Sequence, residues 1–145
     1  MPLKDILDYG CLGFLGFLSI IVLSLILERL YTYRKIDVSS YDEKKILEID
    51  LTNNLTLIAT IGSNAPYVGL LGTVGGIMLT FMEIGSNDMA NTGAIMTGLA
   101  LALKATAMGL IVAIPAIVSY NLLLRKSETL LLKWDLIHQN NDYMI

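Results

Sequence analysis

The sequence predicts an all-α membrane protein with three transmembrane helices, the second and third extended into the cytoplasm. Three observations predict it. The stretch Leu51 to Met82 carries no charged residue, and its middle reads Ala65-Pro66-Tyr67-Val68-Gly69-Leu70-Leu71-Gly72-Thr73-Val74-Gly75-Gly76. About 20 apolar residues in a helix cross a hydrocarbon core of about 30 Å. The chain of 145 residues is 54% hydrophobic and 16% charged, with a mean hydropathy of +0.64, too apolar for a soluble surface. Finally, the basic residues gather in alternate connections, as orientation in a membrane requires.

The first span is expected at 9–28, ending in Glu28-Arg29. It is not a convincing signal peptide: Lys4, Asp5 and Asp8 give no net basic start, and no small-x-small cleavage site follows. A retained signal-anchor helix is the expected reading. The second span is expected at 62–82 and the third at 95–117, with 29–61 and 118–145 on the cytoplasmic side and the whole chain forming one domain. Arg29, Arg34, Lys35, Lys44 and Lys45 lie between the first two spans, and Arg125, Lys126 and Lys133 follow the third. The connection Ile84 to Thr92 has no Lys or Arg. The N-terminus is therefore expected outside (periplasmic) and the C-terminus inside.

Ser40-Tyr41-Asp42-Glu43 offers a cap and acids for a helix start. It leads into Lys44 to Ile61, which contains no Pro or Gly, so the second helix is expected to begin in the cytoplasm and run unbroken into the bilayer. The third helix is expected to continue past Asn121 toward Gln139, because Leu123, Leu124, Leu130, Leu131 and Ile137 keep an apolar face.

Several functions are disfavoured. Net charge is −3 and basic residues occur in pairs, so no nucleic-acid partner is expected. One Cys (Cys11) and one His (His138) allow no intramolecular disulfide and no metal site. No cofactor is expected. An intramembrane enzyme fits poorly, since the spans hold no Ser/Lys, Asp/Asp or His/Glu arrangement.

Small residues recur every three to four positions: Ala65, Gly69, Gly72 and Gly76 in the second span, and Gly98, Ala102, Gly109 and Ala113 in the third. Such stripes let helices approach closely in lipid. They are expected to pack helices, and to seal neighbouring copies of a homo-oligomer. Pro66 and Pro115 each remove a backbone donor and favour a kink. Thr73 and Thr106 are the deepest polar residues of the two spans. Each either bonds its own i−4 carbonyl or lines a water- or partner-filled pore. Lys104 lies deep in the third span, where a lone cation is costly. It either snorkels to the surface or meets a carboxylate of another chain at a pore or subunit boundary.

Two blocks carry a resemblance: Ala65 to Met78, and Ala102-Leu103-Lys104-Ala105-Thr106-Ala107-Met108-Gly109-Leu110-Ile111-Val112-Ala113-Ile114-Pro115-Ala116 with Tyr120-Asn121. Together with Glu28-Arg29, they resemble the ExbB/TolQ/MotA family of inner-membrane motor proteins, most closely its ExbB branch. The resemblance implies a homopentamer around a pore, and an ExbD-like single-span partner whose transmembrane Asp carries protons. It also implies delivery of work to a TonB-like protein that energises outer-membrane uptake. It places Thr73 and Thr106 at the family's two pore threonines. An acid usual five positions before the second threonine is Leu101 here. The short link Thr32 to Ser39 argues against a MotA-like member. A TolQ-like subunit and a non-conducting scaffold remain the alternatives.

Overall fold

The computed structural model describes residues 2–86 and 91–144. Four helices account for nearly all of them: α1 Pro2–Lys35, α2 Lys44–Thr52, α3 Leu55–Ser86 and α4 Thr92–Tyr143, with a 3-10 turn at Val38–Ser40. No strand occurs among the described residues. Three stretches are long and apolar enough to cross a membrane: α1, α2 with α3, and α4. The turn expected outside at Ser86 to Asn91 falls largely outside the described residues.

Each helix has a local cause. Pro2 suits a first turn, where its missing N–H is not needed. Asn91 caps α4 by accepting the Ala94 N–H at 2.7 Å. From there α4 runs 52 residues without interruption, about 78 Å at 1.5 Å per residue. Both α3 and α4 continue as helices through Pro66 and Pro115.

Two expectations are corrected. Ser40 does not cap α2: it closes the 3-10 turn, whose N-cap is Asp37, and α2 starts after Glu43 with no side-chain cap. The second helix is also not continuous. It breaks at Asn53 and Asn54, where Asn54 has φ 66°. Asparagine tolerates this left-handed region better than most residues. The buried positions Leu47, Leu51, Leu55 and Ile58 keep helical spacing across the break, so the apolar pattern gives no sign of it.

The break exposes the last carbonyls of α2, which need partners. Two come from α1. Arg29 Nη1 donates to the Asp50 carbonyl at 2.6 Å, and the Tyr33 hydroxyl donates to the Leu51 carbonyl. The remaining Arg29 donors, Nε and Nη2, bind Glu28 at 2.6 and 2.5 Å. These bonds to Glu28 push the Arg29 pKa up against the opposing effect of burial. Burial likewise pushes the Tyr33 phenol up, keeping it a neutral donor.

The core has two parts. At the end of the bundle that carries Lys35, Lys44 and Lys133, here called the basic end, large side chains meet: Val22, Tyr33, Val38, Leu47, Leu51, Leu55, Ile58, Leu123 and Leu130. Lys44 pairs with Asp135 at 2.8 Å, and Trp134 Nε1 donates to the Tyr41 carbonyl at 2.8 Å, tying this end to α4. Nearer the middle of the spans the core is thin: Leu15, Ala65, Val112 and Ala113. There the backbones themselves approach.

Candidate functional site

The seam between α3 and α4 is built from small residues. A Cβ on Gly69 would sit 2.6 Å from the Ala105 carbonyl oxygen, and one on Gly109 would sit 2.8 Å from the Ala65 carbonyl oxygen. Gly76 meets Ala102 and Gly98 meets Thr80 in the same way, at 2.9 Å. Ala113 is buried in this seam beside Ala65. Within one chain these faces are buried against each other, α3 on α4. Gly72 packs against Ala105 on α4 and Cys11 on α1, so α1 lies along one side of the seam.

Close approach brings Thr73 and Thr106 together. Their hydroxyl oxygens lie 2.5 Å apart. Thr73 also reaches the Ala102 carbonyl at 2.8 Å and, more weakly, its own i−4 carbonyl at Gly69 at 3.3 Å. A hydroxyl has one proton and two acceptor sites. Thr73 therefore donates to Ala102 and accepts from Thr106. The Thr106 oxygen is left with unused acceptor capacity. Thr73 is 6% exposed, whereas Thr106 is half-buried, so the pair opens to the outside through Thr106.

Lys104 does not join this pair. It is exposed and makes no ion pair among the described residues. At about 100° per residue, it is turned roughly 200° from Thr106 on the same helix. The two side chains therefore leave α4 on nearly opposite sides.

Leu101 lines a cavity of about 160 Å³ with Lys4, Asp5, Leu7, Asp8, Gly72, Gly76 and Ala102. The carboxylates that α4 lacks at this level are thus supplied by α1. Asp5 and Asp8 stand three residues apart at the start of α1, a spacing too common to mark a site in a sequence. Among the described residues no group of three His, Cys, Asp or Glu stands close enough to hold a metal ion.

The profile of the MotA/TolQ/ExbB proton channel family matches residues 27–136. A Helicobacter pylori protein named biopolymer transport protein ExbB-like 2 is 60% identical over 140 residues, covering 97% of this chain and 93% of the relative. Biopolymer transport protein ExbB of Aquifex aeolicus is 53% identical over 136 residues, covering 94% and 92%. The Pseudomonas aeruginosa Tol-Pal system protein TolQ is 45% identical over 84 residues, covering 58% and 36%. The family is one of proton channels rather than of enzymes. With three apolar helices, a buried small-residue seam and a family profile covering most of its length, this multi-pass membrane protein belongs to the MotA/TolQ/ExbB proton channel family.

Proposed function

We propose that the chain is the multi-span subunit of a proton-driven motor of the ExbB type in a bacterial inner membrane, with its N-terminus periplasmic and its C-terminus cytoplasmic. In this reading five copies surround a pore, an ExbD-like single-span protein brings a transmembrane Asp, and a TonB-like protein carries the work to outer-membrane uptake. Similarity over nearly the whole chain to two ExbB-named relatives supports this reading, while a TolQ relative matches over 58% of it and another ExbB relative over 52%.

The observation that carries the proposal is the hydroxyl pair at 2.5 Å, buried at Thr73 and half-open at Thr106. While Thr106 donates to Thr73, its free lone pairs accept from a protonated carboxylic acid. When that acid loses its proton, the Thr106 hydroxyl rotates and donates to the carboxylate instead. Thr73 stays anchored on the Ala102 carbonyl throughout. One hydroxyl thus matches both protonation states of a partner's Asp, which lets the acid load and unload at one place. Lys104, on another side of α4, belongs in this reading to a subunit boundary.

The test is energised uptake in cells carrying Thr73→Val or Thr106→Val, with Thr106→Ser as the control. Interhelical hydrogen bonds in membranes are worth about 0.6 kcal/mol on average, so both Val variants should still assemble. Thr106→Val should lose uptake, and Thr106→Ser should keep it. Full uptake in both Val variants would sink the proton role and leave the scaffold reading standing.

A further inference from the structure

At the basic end, the last turns of α1 and the neighbouring α2 enclose a cleft of about 360 Å³, lined by Arg29, Tyr31, Thr32, Lys35, Tyr41 and Asp50 among others. Arg29 is spent there, since its donors go to Glu28 and to the Asp50 carbonyl. Two charges remain. Lys35 has no carboxylate partner among the described residues: its Nζ donates to the Tyr31 hydroxyl at 2.5 Å and lies 4.5 Å from that ring's centre. Among the described residues the Asp50 side chain makes no ion pair; its Oδ2 accepts from the Tyr41 hydroxyl at 2.6 Å, and the Arg29 guanidinium lies near enough to feel its charge. That bond pushes the Tyr41 phenol pKa up. The cleft therefore presents a cation, Lys35, and an anion, Asp50, that do not pair with each other.

Its position says what kind of molecule reaches it. Ile20, Leu27, Tyr31 and Lys35 follow one another at helical spacing on one face of α1. Ile20 is 67% exposed and Leu27 58%. An apolar stripe fit for acyl chains thus leads to an aromatic ring and then to a cation, the order found where a helix leaves a bilayer. We infer that this cleft binds the headgroup of a zwitterionic aminophospholipid of the ethanolamine class. Its phosphate meets Lys35, its primary ammonium meets Asp50, and its acyl chain lies along Leu27 and Ile20. The charges select this class. A glycerol-headgroup lipid satisfies Lys35 and leaves Asp50 unpaired. A choline headgroup carries a cation with no N–H to donate to Asp50. The inference needs only that the chain spans a membrane, and it stands or falls independently of proton conduction.

The test is native mass spectrometry of the detergent-purified protein, offered ethanolamine-, glycerol- and choline-headgroup phospholipids of identical chain composition. The ethanolamine lipid should be retained about threefold to tenfold over the other two, the range expected of a charge-assisted hydrogen bond at a partly solvated site. Asp50→Asn should shift the preference toward the glycerol lipid. It leaves the Asp50 carbonyl, and hence the Arg29 contact, in place. Lys35→Gln should lower retention of all phosphate headgroups. Equal retention of the three lipids means bulk annular lipid only and overturns the inference. So does a wild-type preference for the glycerol lipid, or an Asp50→Asn variant with an unchanged profile.

Discussion

Arg29 and Tyr33 close the end of α2 with two different chemistries, a buried cation and a neutral phenol, each aimed at a backbone carbonyl. The consequences of removing them differ. Tyr33→Phe keeps the ring in the core and loses one neutral hydrogen bond, worth about 1 kcal/mol. Arg29→Met loses charge-assisted bonds to Glu28 and Asp50 together, worth roughly 1.5–3 kcal/mol. Arg29→Lys should recover only part of this, because an ammonium lacks the planar fork that serves two partners at once. Thermal unfolding in detergent should find Arg29→Met the most damaged, with Arg29→Lys and Tyr33→Phe both milder. A ranking with Tyr33→Phe worst would mean that the guanidinium is not the main tie. In the sequence, Arg29 reads as a topology marker at the end of an apolar run. A solvated flanking charge and a buried capping charge look the same there, since the carbonyl that Arg29 binds is 21 residues away.

At the scale of elements, the α3–α4 seam distinguishes glycines that separate backbones from glycines that face outward. Gly69 and Gly109 stand against carbonyl oxygens of the opposite helix, and backbone cannot yield as a flexible side chain can. Gly10, Gly13 and Gly16 on α1 have nothing within 4 Å of an added Cβ. Gly69→Ala should therefore cost about 1–3 kcal/mol through overpacking. Gly13→Ala should be neutral or stabilising by up to about 1 kcal/mol, from helix propensity alone. Equal melting temperatures for the two variants would refute the close approach. The spans and the small-residue stripes were legible because lipid imposes both: a length without charge, and close packing without large side chains. Which helices the stripes join was not legible. A small face accepts any neighbouring backbone, and only the three-dimensional arrangement shows that the partner is within the same chain. The meeting of Thr73 with Thr106 followed from the same packing; the family resemblance singled out both residues, but not their contact.

The whole molecule is a narrow three-helix unit across the membrane that widens into a large-side-chain core at the basic end. With the small faces spent inside, large apolar residues cover its outside. Tyr67, Leu71, Ile111 and Ile114 are all more than 60% exposed. One side of the unit is a continuous rod, α4, and the other is a short helix joined to a long one through Asn54. A helix of nine residues is too short to hold itself together in water. The ladder of amide bonds does not carry across the joint, so α2 can open while α3 stays closed. Its amide hydrogens should therefore exchange with deuterium well before those of Leu123 to Leu130 on α4, although the two segments pack against each other. Matching exchange rates along both segments would show that side-chain contacts alone make them one cooperative unit. Faster exchange at 44–52 would make the joint a place where the basic end yields locally, leaving the hydroxyl pair in the membrane undisturbed.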